Sequence, residues 1–188
     1  MKQRIQKHLL LIIILLSVAP AAFAQRFSIG MNAVDLFSLG TIEGEASVAV
    51  SQHWSFHVGA ELNPWTWNAG DQQKQLQSRQ NSYWGGARYW PWHVYSGWWW
   101  GADARYSVYN IGGIIKRDTQ EGDAWGLGAY GGYSIMLNAY WNLDLGFGVW
   151  GGVTKYTRFA CPLCGTRLDE GTKGFFLPDA RIAIQFIF

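Results

Sequence analysis

The chain has 188 residues and a formal charge of +2, with 23 glycines, 12 tryptophans and only 15% charged side chains. Its length fits one folded domain, and no linker, charge block or low-complexity tract divides it. The basic excess belongs to the first stretch: Lys2, Arg4 and Lys7 are three of the fifteen Lys and Arg, and none of the thirteen Asp and Glu precedes Gln25. The remainder therefore carries twelve basic against thirteen acidic side chains, a balance that gives a nucleic-acid partner no electrostatic support.

Met1 to Ala24 combines that basic start with an apolar run from Leu9 to Val18 and closes on Ala22-Phe23-Ala24. This is the pattern of a cleaved signal peptide, with a small-x-small peptidase site. The apolar run falls short of the roughly 20 residues that span a bilayer as a helix. The expectation is export, cleavage after Ala24, and a single domain over residues 25–188. The residue directly after Ala24 is Gln25 and not Cys, so lipoprotein processing is not indicated.

All the Gly and Trp lie after this leader, and no later stretch approaches a transmembrane helix, so a membrane span would have to be β. Period-two alternation marks eight segments. The first runs from about Arg26 to Phe37, with Phe27, Ile29, Met31 and Ala33 on one face. The second, Thr41 to Val50, sets Ile42, Gly44, Ala46 and Val48 against Glu43, Glu45 and Ser47. In the third, Trp54, Phe56, Val58, Ala60 and Leu62 oppose Ser55, His57, Gly59 and Glu61. The fourth spans Asn81 to Trp90 with Arg88 on its polar face, and the fifth sets Trp98, Trp100, Ala102, Ala104 and Tyr106 against Asp103 and Arg105. The sixth alternates Trp125, Leu127, Ala129 and Tyr133 with glycines, the seventh runs from Trp141 with Asp144 inward, and the last ends Arg181-Ile182-Ala183-Ile184-Gln185-Phe186-Ile187-Phe188.

Connector lengths point to an architecture. Ser51–His53, Pro91–Gly97 and Leu137–Tyr140 are short, whereas Asn68–Gln80, Asn110–Asp123 and Thr157–Leu177 read as long polar loops on the opposite side. Short periplasmic turns with longer external loops characterise outer-membrane barrels; a soluble β-sandwich, the alternative, has no reason to sort its loops by parity. The expected fold is all-β: an eight-stranded, antiparallel, up-and-down transmembrane β-barrel. Its lumen would be filled by a charge network of Glu43, Glu45, His57, Glu61, Arg88, Asp103, Arg105, Asp144 and Arg181, because eight strands enclose only enough room for side chains. Phe27, Trp54, Tyr89, Trp98, Tyr133, Trp141, Phe186 and Phe188 would form one interfacial girdle, and Tyr83, Tyr106 and Trp125 the other.

Three stretches, Tyr83-Trp84-Gly85-Gly86-Ala87-Arg88-Tyr89-Trp90, Asp123 to Ser134 and Trp141-Asn142-Leu143-Asp144-Leu145-Gly146-Phe147-Gly148, carry a family likeness. Through them the whole mature chain resembles the small outer-membrane β-barrels of Gram-negative bacteria, nearest to an uncharacterised family of unknown function. The resemblance implies an outer-membrane protein serving the envelope or surface structures such as fimbriae, and it brings no catalytic residues. It also implies that Phe186 and Phe188 act as the signal read by the barrel assembly machinery, by addition of the last strand to an exposed sheet edge.

Other chemistry is sparse. Cys161-Pro162-Leu163-Cys164 reads first as a local disulfide in an exported chain, with free or metal-linked thiols and a redox C-x-x-C as the alternatives. Ser55, His57 and Glu61 share one face, the weak basis for a lipid-modifying hydrolase or acyltransferase, yet residues four apart on a strand stand about 13 Å apart. No motif for a cofactor or a metal is present. The leading functional expectation is a non-enzymatic envelope protein acting through its outer loops on outer-membrane lipid and surface partners. A small lipid-modifying enzyme and a narrow pore are the alternatives.

Overall fold

The computed structural model of the protein describes residues 26–71, 74–113 and 118–188; the expected leader lies outside the described residues. Eight strands form one closed antiparallel barrel in chain order: β1 (Phe27–Asn32), β2 (Ile42–Ala49), β3 (Trp54–Trp67), β4 (Leu76–Tyr89), β5 (Gly97–Gly112), β6 (Thr119–Met136), β7 (Trp141–Phe159) and β8 (Arg167–Ile187). The ring closes where Ser28–Asn32 pairs with Ala183–Ile187. Phe27 and Phe188 complete the seam by exchanging backbone hydrogen bonds of 3.0 and 2.9 Å.

Alternation sets the two faces, as a two-residue side-chain period requires. Glu43, Glu45, Ser47, Ser55, His57, Ser82, Arg88, Asp103, Asn142, Asp144 and Gln185 are buried inside. Ile42, Phe56, Val58, Trp100, Leu127, Phe147 and Ile184, on the opposite parity of their strands, are large, apolar and exposed outside. At the end that carries Phe27 and Phe188, aromatic rings meet in succession around the rim: Phe27–Phe188 at 6.0 Å, Trp141–Phe186 at 5.1 Å, Trp98–Tyr133 at 5.1 Å and Trp54–Tyr89 at 5.1 Å.

Two sequence expectations are corrected. The first segment does not stay extended to Phe37: β1 stops at Asn32, and a short helix α1 (Ala33–Phe37) follows. Asn32 caps it, its side chain accepting from the Val34 N–H, and Oδ1 also accepts from Ile182 N while Nδ2 donates to Ala180 O. The same side chain therefore ends one strand and ties the turn to β8.

The long loops are also mostly strand. Connections shrink to residues 68–75, 113–118 and 160–166, while β3 to β8 continue past the height at which β1 and β2 stop. Beyond Ile42↔Leu62 and Asn32↔Ala183 the wall is a curved six-stranded sheet, a crown standing on the closed ring. Its concave side and the ring mouth enclose a polar cavity of ≈ 830 Å³, with Asn63, Gln80, Tyr109 and Tyr156 among its walls.

Candidate functional site

The lumen is layered. At the floor, the β4–β5 connection folds up into the ring, and Trp90, Val94 and Tyr95 pack with Ala49, Trp99 and Ile187 in a buried apolar cluster. Tyr95 takes a left-handed backbone (φ 63°), a strained choice for a bulky residue. It is held from both ends: Asn142 Nδ2 donates to its carbonyl at 2.6 Å, and its hydroxyl lies 2.9 Å from Ser47 Oγ. Trp90 Nε1 donates to Ser55 Oγ at 3.0 Å, which satisfies the polar edge of that indole.

Above the plug lie the charges. Arg88 reaches Glu45 at 2.8 Å, and Arg181 reaches Glu45 at 2.9 Å, Glu43 at 3.5 Å and Asp144 at 3.8 Å. Asp144 also accepts from Gln185 Nε2 at 2.9 Å. A second group centres on Arg105, which binds Asp179 at 2.9 Å and stands 3.9 Å from Asp103. Tyr130 joins Arg105 and Asp103 through its hydroxyl. The aromatic walls contribute too: the Arg88 guanidinium lies 4.8 Å from the Trp99 ring, and that of Arg105 lies 5.0 Å from Trp84 and 5.3 Å from Trp150.

All nine charged residues expected in the lumen thus point inward, as two groups rather than one mesh. Glu61 makes no ion pair among the described residues and is instead held by Ser82 Oγ at 2.7 Å and by Gln80. His57 Nε2 lies 4.0 Å from Asp103 Oδ2, and no hydrogen bond joins it to Ser55 among the described residues. The nucleophile–base contact that a hydrolase needs is therefore replaced by Ser55's bond to Trp90. The free space between these groups is ≈ 40 Å³, room for a water or two.

Asp179, Tyr130, Asn142 and Gln185 are the members that sequence reasoning left out. Asp179 carried a signal, since it shares the inward parity of Arg181. The plug carried none, because its partners come from five different strands. Cys161 and Cys164 are joined as a disulfide at the tip of the β7–β8 hairpin, with Cα atoms 5.5 Å apart. Among the described residues, no cluster of His, Cys, Asp and Glu has the arrangement to hold a metal ion. No helix among them is long and apolar enough to cross a membrane.

The family model described as a protein of unknown function, DUF3575, matches residues 9–188. No curated protein and no solved structure matches the chain.

Proposed function

Since the chain belongs to the DUF3575 family, whose description assigns no activity, we propose from its geometry that it is a non-enzymatic outer-membrane barrel: a filled, non-conducting anchor that presents its crown outside the cell as an envelope or surface-structure component. The observation that carries this reading is the inverted polarity of the ring. Leu127 is 71% exposed, Val58 and Phe147 63% each, while Glu45, His57, Arg88 and Asp144 lie inside. Apolar surface costs roughly 25 cal/mol per Å² in water, so a continuous belt of this kind calls for an apolar solvent around it. The aromatic rim and the polar crown then fall where headgroups and water begin.

In this reading the floor faces the periplasm, and the signal peptide delivers the chain there. The buried plug, the ion pairs and the free space of only ≈ 40 Å³ between them support a closed lumen, so planar-bilayer recordings are expected to show no steady conductance. The bond from Trp90 to Ser55 Oγ, in place of a Ser55–His57 contact, supports the non-enzymatic reading, and the surface offered to a partner is the crown.

Leu127→Arg is expected to destabilise the barrel in lipid vesicles by about 2–4 kcal/mol. Leu168→Arg, on the crown and also exposed at 53%, is expected to cost less than about 0.5 kcal/mol. Urea titrations in vesicles check both, and equal costs at the two positions would overturn the membrane reading. Deletion of Phe188 removes the seam bonds to Phe27 and the ring stacked on Phe27 and Phe186. The truncated chain is expected to reach the outer membrane poorly in cells, which fractionation and heat-dependent gel mobility would reveal.

A further inference from the structure

One edge of the crown is open and the other is not. On β3 the side facing away from β4 above Leu62 is covered by the chain's own α1–β2 connection. Asn63 Nδ2 donates to Thr41 Oγ1 at 2.9 Å, and Trp65 Nε1 donates to Gly40 O at 2.8 Å. On β8 nothing comparable lies beside Glu170 to Phe176 among the described residues, although this stretch is fully paired to β7 on its other side.

The direction of the open backbone groups follows from the seam. Ile187 N donates to Tyr140 O beside β7, whereas Phe188 exchanges both bonds with Phe27 of β1. Odd positions of β8 therefore aim their N–H and C=O at β7, and even positions aim away from it. The pairing with β7 shifts register only at Arg158/Phe159, so the alternation carries unbroken up to Glu170. The Asn32 side chain satisfies Ile182 N and Ala180 O in place of β1. Next comes Pro178, which has no N–H to present and needs none from β7 at this parity. Above it, Phe176, Gly174, Thr172 and Glu170 present a row of strand donors and acceptors to the outside.

We propose that this edge, Glu170 to Phe176 of β8, is a docking site for an extended peptide strand of a partner protein, added antiparallel by main-chain hydrogen bonds. The side chains define the strand that fits. Phe176 is 72% exposed and Leu177 47%, so the end next to Pro178 favours apolar residues. Asp169 and Glu170, ion-paired within the chain to Arg158 and Arg167, make the other end polar, and Lys173 favours a polar or acidic residue between the two ends. A second copy does not fit. Barrels inserted in one membrane run in the same sense, so two β8 edges meet in parallel; a two-fold axis then places equal residues at equal height, where a parallel ladder needs facing residues offset. That exclusion rests on the membrane reading, whereas the open edge does not.

The chain itself supplies a probe. Residues 150–159 of β7 already complement β8 with Trp150 opposite Leu177, Thr154 opposite Lys173 and Arg158 opposite Asp169. A fluorescent peptide of this ten-residue sequence would be titrated into the full chain folded in detergent, with anisotropy as readout. Saturable binding is expected, weakened by at least about tenfold in Thr172→Pro or Gly174→Pro. Both variants delete an edge-facing N–H and spare the pairing to β7, and Pro178 shows that this parity of β8 takes proline. Retained heat-dependent gel mobility identifies whichever variant has folded. Equal binding by wild type and folded variant, or no saturation by the wild type, overturns the proposal. A Thr172→Cys chain that oxidises to a dimer across this edge in vesicles also overturns it, in favour of a second copy. Because the titration is done in detergent, a negative result leaves the Leu127→Arg comparison, and with it the membrane reading, standing.

Discussion

Arg181→Met is expected to destabilise the folded barrel by about 3–5 kcal/mol, the cost of leaving buried charge without its counter-charge. Arg181 is the only side chain in ion-pair range of Glu43 among the described residues, at 3.5 Å, and it also reaches Glu45 and Asp144. Arg88, Arg105 and Arg181 stand among Glu43, Glu45, Glu61, Asp103, Asp144 and Asp179, so each arginine serves more than one carboxylate. Glu45 retains Arg88 at 2.8 Å after the substitution, whereas Glu43 is left with none. The double variant Glu43→Gln, Arg181→Met is therefore expected to regain part of the loss, and Arg181→Lys to lose less than Arg181→Met because it keeps charge but not the fork. Reversible urea unfolding in vesicles of wild type, Glu43→Gln, Arg181→Met and the double variant gives the coupling energy directly, with Arg181→Lys measured beside them. A loss below about 1 kcal/mol for Arg181→Met would mean that solvent, not the arginine, satisfies these carboxylates.

The difference between what the residues announce and what the fold does lies in the crown. Inward and outward faces of the ring are legible because β2, β3 and β5 alternate between two unlike environments, and the contrast of Glu43-Gly44-Glu45 or Asp103-Ala104-Arg105 survives any error at the strand ends. Where both faces of a sheet are wet, that contrast vanishes. Arg79-Gln80, Asn110 and Thr157-Arg158 look like loop, yet they sit in continuous ladders, Gln80 opposite Tyr109 and Thr157 opposite Glu121. The asymmetry read as loop length is thus an asymmetry of strand length, and the proposed partner surface is an ordered sheet in place of loops. The lumen shows a similar divide. Parity places His57 and Asp144 inside, but it does not reveal that Ser55 is occupied by Trp90, because that bond depends on a turn folding back into the ring.

That turn sets the second large effect. Trp99→Ala is expected to cost about 3–5 kcal/mol, the loss for truncating a buried tryptophan. Trp99 is 1% exposed and lies 6.2 Å from the Trp90 ring, with the Arg88 guanidinium over its other side. Its indole lies against bare backbone: a Cβ at Gly132 would stand 2.6 Å from Trp99 Cζ2, and one at Gly146 would stand 3.0 Å away. Those inward glycines leave room for the ring and have no side chain that could collapse into its place, so the cavity is expected to persist. The adjacent Trp98 gives the contrast, since it is 56% exposed on the outer face and meets Tyr133 edge-on at 5.1 Å. Trp98→Ala is expected to lose about 1 kcal/mol, in keeping with one aromatic pair. Paired urea titrations in vesicles check the ranking. If Trp98→Ala proves the costlier change, the floor of the barrel is held by the lipid-facing rim and not by the plug.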